Sequence, residues 1–270
     1  MILLLACAKP ETPPVACGDV ADTQAGVVTE LRFARDSDDG VSSEGFDLDG
    51  AAGDVCDIPD YVDAAGNPGI DNAFARLVPA LEATEAAAVE GLIQDAINTG
   101  GLLIMYELAR FDDPVDDPCV DLSLLRGEGD VSLGTDGTLE WSQTFDRDPD
   151  TPASTVTGLP LSDGRVVARP IDYDLPIQIL NANVLFHLHE GALRVDVAED
   201  GSSSGLLAGG VAVADVIAVA QTENVDADLA AMVESLVQVT ADLDKDGDGV
   251  CEQISMTFTF EAVPAFFFGD

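Results

Sequence analysis

Basic residues are scarce in this sequence: 11 Lys and Arg stand against 51 Asp and Glu in 270 residues, a formal charge of −40. Only Lys9 and Lys245 are lysines. Such a surface repels phosphate backbones and anionic lipid headgroups, which excludes nucleic acid as a partner. Aromatic residues are also few, with one Trp and three Tyr, too few for a platform of ring faces on which sugars stack. No apolar run approaches the roughly 20 residues of a membrane-spanning helix, so any membrane contact has to come through an attached lipid. Histidine is limited to His187 and His189, and none of the five cysteines forms a C-x-x-C pair, so a zinc ribbon or thioredoxin-like redox site has no support. What remains is an acidic chain with 47% apolar residues, enough for a core. Multivalent cations or a saline medium would screen its charge.

The most informative stretch is 242 to 252, which reads Asp-Leu-Asp-Lys-Asp-Gly-Asp-Gly-Val-Cys-Glu. Asp244, Asp246 and Asp248 occupy alternate positions, so a tight loop can turn all three carboxylates toward one centre. Gly249 permits the bend, Val250 offers a backbone carbonyl and Glu252 closes the site. A hard cation bound by oxygen is the ligand this pattern suits, and calcium is the expected ion. The stretch resembles the loop of EF-hand proteins and, more closely, the D-x-D-x-D-G-x-x-D/E loops of extracellular proteins. It departs from the EF-hand at the twelfth position, where Ser255 stands in place of Glu. The flanks depart too. Leu229, Met232, Val233, Leu236 and Val239 recur at helical spacing before the loop, whereas Ile254, Met256, Phe258 and Phe260 alternate with polar residues after it. Helix, loop and strand predict a structural clip rather than the paired helices of a calcium sensor.

Residues 4 to 7, Leu-Leu-Ala-Cys, resemble the lipobox of bacterial lipoproteins. The resemblance implies cleavage before Cys7, lipidation of that residue and an exported protein anchored in the cell envelope, at the outer membrane or cell surface. Only six residues precede Cys7 and none is basic, so either the true start lies upstream or the apolar hexamer is incidental. The division expected is a residual signal peptide over 1 to 6, a lipidated cysteine and proline-rich tether over 7 to 25, and a single globular domain over 26 to 270. With Cys7 taken by lipid, Cys17, Cys56, Cys119 and Cys251 remain as an even set that permits two disulfides in three connectivities. Cys251 lies within the calcium loop, where a bridge would hold the loop before the ion arrives.

Within the domain, Val27 to Phe33 alternates as a first strand. The spacing predicts helix between Ile70 and Asn98, divided near Pro79 and with Thr84 as a cap for its second part. Leu102 to Leu108 reads as a buried strand, and Val211 to Ala220 as a short helix. Between Cys119 and Val197, short strands alternate with turn signals at Thr135-Asp136-Gly137, Ser162-Asp163-Gly164 and Glu190-Gly191, which predicts antiparallel pairing. The expected fold class is therefore α+β: a mainly antiparallel sheet or sandwich with two to four helices packed on one side or end.

Other patterns carry less. Asp47 and Asp49, in an acidic loop that also holds Asp54, Asp57, Asp60, Asp63 and Asp71, offer either a second metal site or a solvated turn, since the spacing fits no strict ligand template. His187 and His189 share one strand face but lack a third ligand, so the expectation is an exposed strand. Gly201-Ser-Ser203-Ser-Gly205 has the letters of a nucleophile elbow, yet both histidines precede the serine, contrary to the order of that family. The expected function is a binding or structural role without catalysis, toward a protein or surface-polymer partner that the sequence leaves unknown. The alternative is a secreted hydrolase acting on carbohydrate or peptide through an acidic cleft. Buried carboxylates with separated pKa values, away from the calcium loop, would favour it.

Overall fold

A computed structural model of the protein describes residues 22 to 51, 56 to 83, 89 to 179, 182 to 221 and 227 to 268. Its strands are β1 (Thr23–Phe33), β2 (Tyr61–Val62), β3 (Pro68–Ile70), β4 (Leu103–Ala109), β5 (Asp117–Glu128), β6 (Gln143–Arg147), β7 (Ser154–Ser162), β8 (Arg165–Ile179), β9 (Ala182–Val197), β10 (Ser203–Ala212) and β11 (Gln253–Phe267). The helices are α1 (Val78–Glu82), α2 (Val89–Asn98), α3 (Val213–Ala220) and α4 (Ala227–Gln238), with a 3-10 turn at Ala73–Arg76.

Following the pairings in order, β1, β4, β5, β7, β8, β9, β10 and β11 are each antiparallel to the next, and β11 returns to β1 through Ala25 with Ala265 and Phe33 with Phe258. This is a closed eight-stranded barrel. The expected α+β sheet or sandwich is corrected accordingly: the sheet closes on itself, and the helices are short insertions at its rim. Closure also removes open edges, since every strand of the ring has two partners.

Val28, Leu31, Ile104, Tyr106, Leu124, Leu207 and Phe260 are among the side chains that meet inside the ring, leaving a space no larger than about one water molecule. Around these residues the barrel interior is a packed core. Two glycines make that packing possible. A Cβ on Gly26 would stand 2.4 Å from the Tyr106 ring, and one on Gly205 would stand 2.4 Å from the Phe260 ring. Tyr106 crosses Gly26 to donate its hydroxyl hydrogen to Ser203 Oγ at 2.8 Å, so Ser203 is a buried strand residue and not a nucleophile on an elbow.

The two ends of the barrel differ. The hairpin at Asp163 and Gly164, both with positive φ, has the two-residue turn that matches strand twist. It lies with the β9–β10 turn at one end. At the other end lie the long insertions: the acidic segment after β1, α1, α2, α3, α4 and the loop before β11. Helix α2 packs on both β1 and β8, which stand opposite each other in the ring, so it crosses this mouth. Its fully buried Ile93 and Ile97, one turn apart, face the core. Gln94 donates to the Thr29 carbonyl at 2.8 Å, and Glu90 accepts from the Phe33 backbone at 2.9 Å, which fixes the helix to β1.

Strand β6 stands outside the ring. It pairs antiparallel with the end of β5 and parallel with the end of β11, spanning β1 and β4 between them. Arg147 pairs with Glu107 of β4 and stacks over Phe267 at 4.0 Å. Glu107 neighbours the inward Tyr106 and so marks the outer face.

Two local expectations also change. Ile70 belongs to β3 rather than to a helix, and the helix expected up to Asn98 is a 3-10 turn followed by α1 and α2; Thr84 lies outside the described residues. Glu190-Gly191 is not a turn but an irregularity within β9, where the register against β10 shifts and Glu190 has φ 47°. One extra residue bends a long strand without ending it. A Cβ on Gly191 would lie 2.0 Å from the Ala208 carbonyl oxygen, so only glycine fits beside that bend.

Candidate metal centre

The loop before β11 is anchored at its base. Leu243 and Gln253 bridge its two ends, and Asp242 is buried beneath it. The Asp242 carboxylate accepts from the Ser255 backbone N–H at 2.7 Å and from the Ser255 hydroxyl, while Ser255 Oγ accepts from the Ala73 backbone at 2.7 Å. Ser255, at the position where an EF-hand has Glu, therefore serves as a fully buried link between the loop base and the 3-10 turn.

Above this base, Asp244, Asp246, Asp248 and Glu252 each bring a carboxylate oxygen within 4.8 Å of the others. These are the four side chains expected from the sequence, and the cluster could hold a metal ion. The chain arrives there through positive φ at Gly247 (75°) and Gly249 (89°), where a side chain would be strained. Backbone N–H groups hold the carboxylates. Asp244 accepts from Gly247 and Gly249 at 2.8 Å, Asp246 from Asp248 at 3.1 Å, Asp248 from Val250 at 2.8 Å, and Glu252 from Lys245 at 3.3 Å. The Val250 carbonyl, expected as a backbone ligand, belongs to an exposed residue of the same turn.

Asp47 and Asp49 form a second cluster with Asp71. The third member comes from the end of the hairpin β2–β3, which folds back so that Asp71 pairs with Phe46. Asp71 Oδ2 accepts from the Leu48 backbone at 2.6 Å and from Asp49 at 3.2 Å. Burial pushes the Asp71 carboxyl up to about 8, and the charges of Asp49 and Asp242 add to the effect, against the Leu48 and Asp49 N–H bonds. Burial also raises Asp242 to about 6, opposed by its bonds from Ser255. Of the other acids in this segment, Asp63 is engaged in its own turn with Ala65 and Asn67, and Asp54 lies outside the described residues. Asp71 is among the acids the sequence placed in this segment, but spacing did not single it out as the partner of Asp47 and Asp49, because 22 residues and a hairpin separate it from Asp49.

The two acidic loops are joined covalently. Cys56, in the first, and Cys251, in the second, form a disulfide across 195 residues of sequence. Cys119 is also disulfide-bonded, while Cys7 and Cys17 lie outside the described residues. Asn72 adds a polar link, donating to Ser43 Oγ at 2.9 Å and accepting from the Thr257 backbone at 3.2 Å. Both clusters thus occupy one mouth of the barrel, fixed to β11 and to each other.

His187 and His189 stand together on β9, with ring centroids 6.0 Å apart. Each faces a carboxylate of β8 through Nδ1, His187 with Asp174 and His189 with Asp172 at 3.9 Å. Both are more than a third exposed, as an outward strand face requires.

Comparison with known proteins gives no matching family model, no matching curated protein and no matching solved structure.

Proposed function

We propose that this chain is an exported lipoprotein, anchored to the bacterial cell envelope through Cys7, whose barrel is a rigid binding or structural module clamped by calcium at one mouth. The observation that carries the reading is the Cys56–Cys251 bridge between two acidic loops. Disulfides persist in oxidising compartments, and a bridge that holds carboxylates near one another works against their repulsion unless a cation offsets it. Calcium is preferred to magnesium because the ligands are all oxygen, come from a flexible turn and need not meet octahedral geometry.

The hydrolase alternative has less support. Asp71 and Asp242, raised to about 8 and about 6, belong to the acidic mouth and accept hydrogen bonds from the chain, and Glu261 on β11, also raised by burial and by Glu30, stands apart from them without a second carboxyl paired as its opposite in role among the described residues. The cavity beside Tyr106 inside the barrel is lined by apolar side chains.

Membrane fractionation followed by mass spectrometry tests the anchor. Recovery from membranes with lipid on Cys7 supports the reading; a soluble protein with intact Met1 or unmodified Cys7 refutes it. Titration with calcium and magnesium under calorimetry tests the ion, and equal affinity for both would refute the assignment to calcium.

A further inference from the structure

The bridge that joins the two acidic loops is accessible, and the backbone beside it is strained. Cys56 and Cys251 are both partly exposed, whereas Cys119, also disulfide-bonded, is 2% exposed within β5. Cys56 has φ 53° and Asp57 φ 62°, so two consecutive residues other than glycine stand in the left-handed region. Such conformations persist only where the surrounding structure holds them, and they gather at switch regions. On the other side, Cys251 stands between Val250 and Glu252, in the turn that carries the four clustered carboxylates. Exposed or strained bridges are the ones that thiols open most readily. The fold does not depend on this bridge for closure: the ring closes through β1 and β11, and the loop before β11 keeps its base through Leu243 with Gln253 and Asp242 with Ser255.

We propose that the Cys56–Cys251 disulfide is a redox latch on the cation site: a dithiol reductant opens it selectively, and calcium held by Asp244, Asp246, Asp248 and Glu252 keeps it shut. The inference rests on the calcium reading of the acidic mouth and adds its regulation. A thiolate of the reductant attacks one sulfur of the bridge, the S–S bond breaks and a mixed disulfide forms; the reductant's second thiolate then displaces the protein sulfur. The protein gains two electrons and two protons as the thiols of Cys56 and Cys251, and the reductant leaves as a disulfide. Opening releases the turn that carries Glu252 from the loop that follows Asp47 and Asp49, so ordering of the ligands falls to the ion alone and binding weakens. By linkage, the factor that the bridge adds to calcium affinity is the factor by which calcium favours the bridge over its two thiols. The clustered carboxylates slow the approach of an anionic thiolate, which changes the rate of exchange and not the ratio of open to closed form at equilibrium.

Equilibration of the full-length mature protein in buffers of reduced and oxidised dithiothreitol, followed by alkylation of free thiols and peptide mass spectrometry, reads each bridge separately. Cys56 and Cys251 should be labelled together at a milder potential than Cys119, with the near-ultraviolet circular dichroism of the folded barrel retained. Millimolar calcium should shift the Cys56–Cys251 equilibrium toward the bridged form by at least about fivefold relative to chelator, the lower end of ordinary coupling between sites. For a two-electron couple that is a midpoint lower by about 20 mV. Asp246→Ala should abolish the shift and keep the order of opening. Labelling of Cys119 at the same or a milder potential overturns the proposal. So does labelling of Cys56 and Cys251 only as the circular dichroism is lost, since the thiols would then report global unfolding. Calorimetry of the oxidised protein separates the two readings: calcium that binds without moving the midpoint overturns the latch alone, and absence of binding overturns the clamp and the latch with it.

Discussion

Replacing Asp246 with Ala should change stability in opposite directions with and without calcium. Asp244, Asp246, Asp248 and Glu252 hold oxygens within 4.8 Å of one another, and two unit charges at that separation repel by about 0.9 kcal/mol in bulk water. Asp246 enters three of the six pairs, about 2.5 kcal/mol before screening and about half that at physiological ionic strength. Against this, its carboxylate accepts one exposed N–H, from Asp248, worth about 0.5 to 1 kcal/mol. Without a cation, the variant should therefore melt at or slightly above the wild type. With calcium the order reverses. For a dissociation constant on the order of 10⁻⁴ to 10⁻³ M, calcium at ~100 times that value stabilises the native state by about 2.7 kcal/mol. In a domain of this size that raises Tm by about 5 to 10 °C. The variant should lose most of this rise. Differential scanning calorimetry of both proteins, in chelator and in millimolar calcium, provides the four values. A wild-type Tm identical in the two buffers would refute the clamp, and a variant less stable than wild type by the same amount in both would show that Asp246 acts without an ion.

Replacing Cys56 and Cys251 with Ser should lower stability in denaturant titrations by up to about 5 kcal/mol, the loop-closure value for a separation of 195 residues, and should weaken calcium binding; unchanged affinity would mean that the bridge does not organise the loops. In calcium-free buffer, stability should fall as pH rises from about 4 to about 8, because folded Asp71 and Asp242 keep protons, with pKa values of about 8 and about 6, that the unfolded chain releases near its ordinary value of 3.8. Asp71→Asn should flatten that decline, as read by chemical denaturation at pH 5 and pH 8, and an unaltered slope would assign the loss elsewhere. With Cys56 joined to Cys251 and Cys119 also bonded, the proposed lipid anchor on Cys7 would leave Cys17 for Cys119. Non-reducing peptide mapping should find that pair; a Cys7–Cys119 peptide would contradict the anchor.

The sequence by itself determined what depends on local chemistry. The spacing of Asp244, Asp246, Asp248 and Glu252 defined the candidate metal cluster, because carboxylates at alternate positions of a tight turn, closed by one a few residues on, converge whatever surrounds them. Alternation marked Val27 to Phe33 and Ile254 to Phe260 as strands, and helical spacing marked α4, because each periodicity belongs to one backbone geometry. Only the tertiary structure decided which strands meet. An alternating strand has the same pattern in a flat sheet, a sandwich or a barrel, and closure depends on residues as distant as Ala25 and Ala265 finding each other. Asp71 joined Asp47 and Asp49 because a hairpin folds back, and Cys56 met Cys251 because both loops rise from the same mouth. Hydrogen bonds and van der Waals contacts reach only a few ångströms, so groups far apart in sequence become one site only after the chain between them has folded.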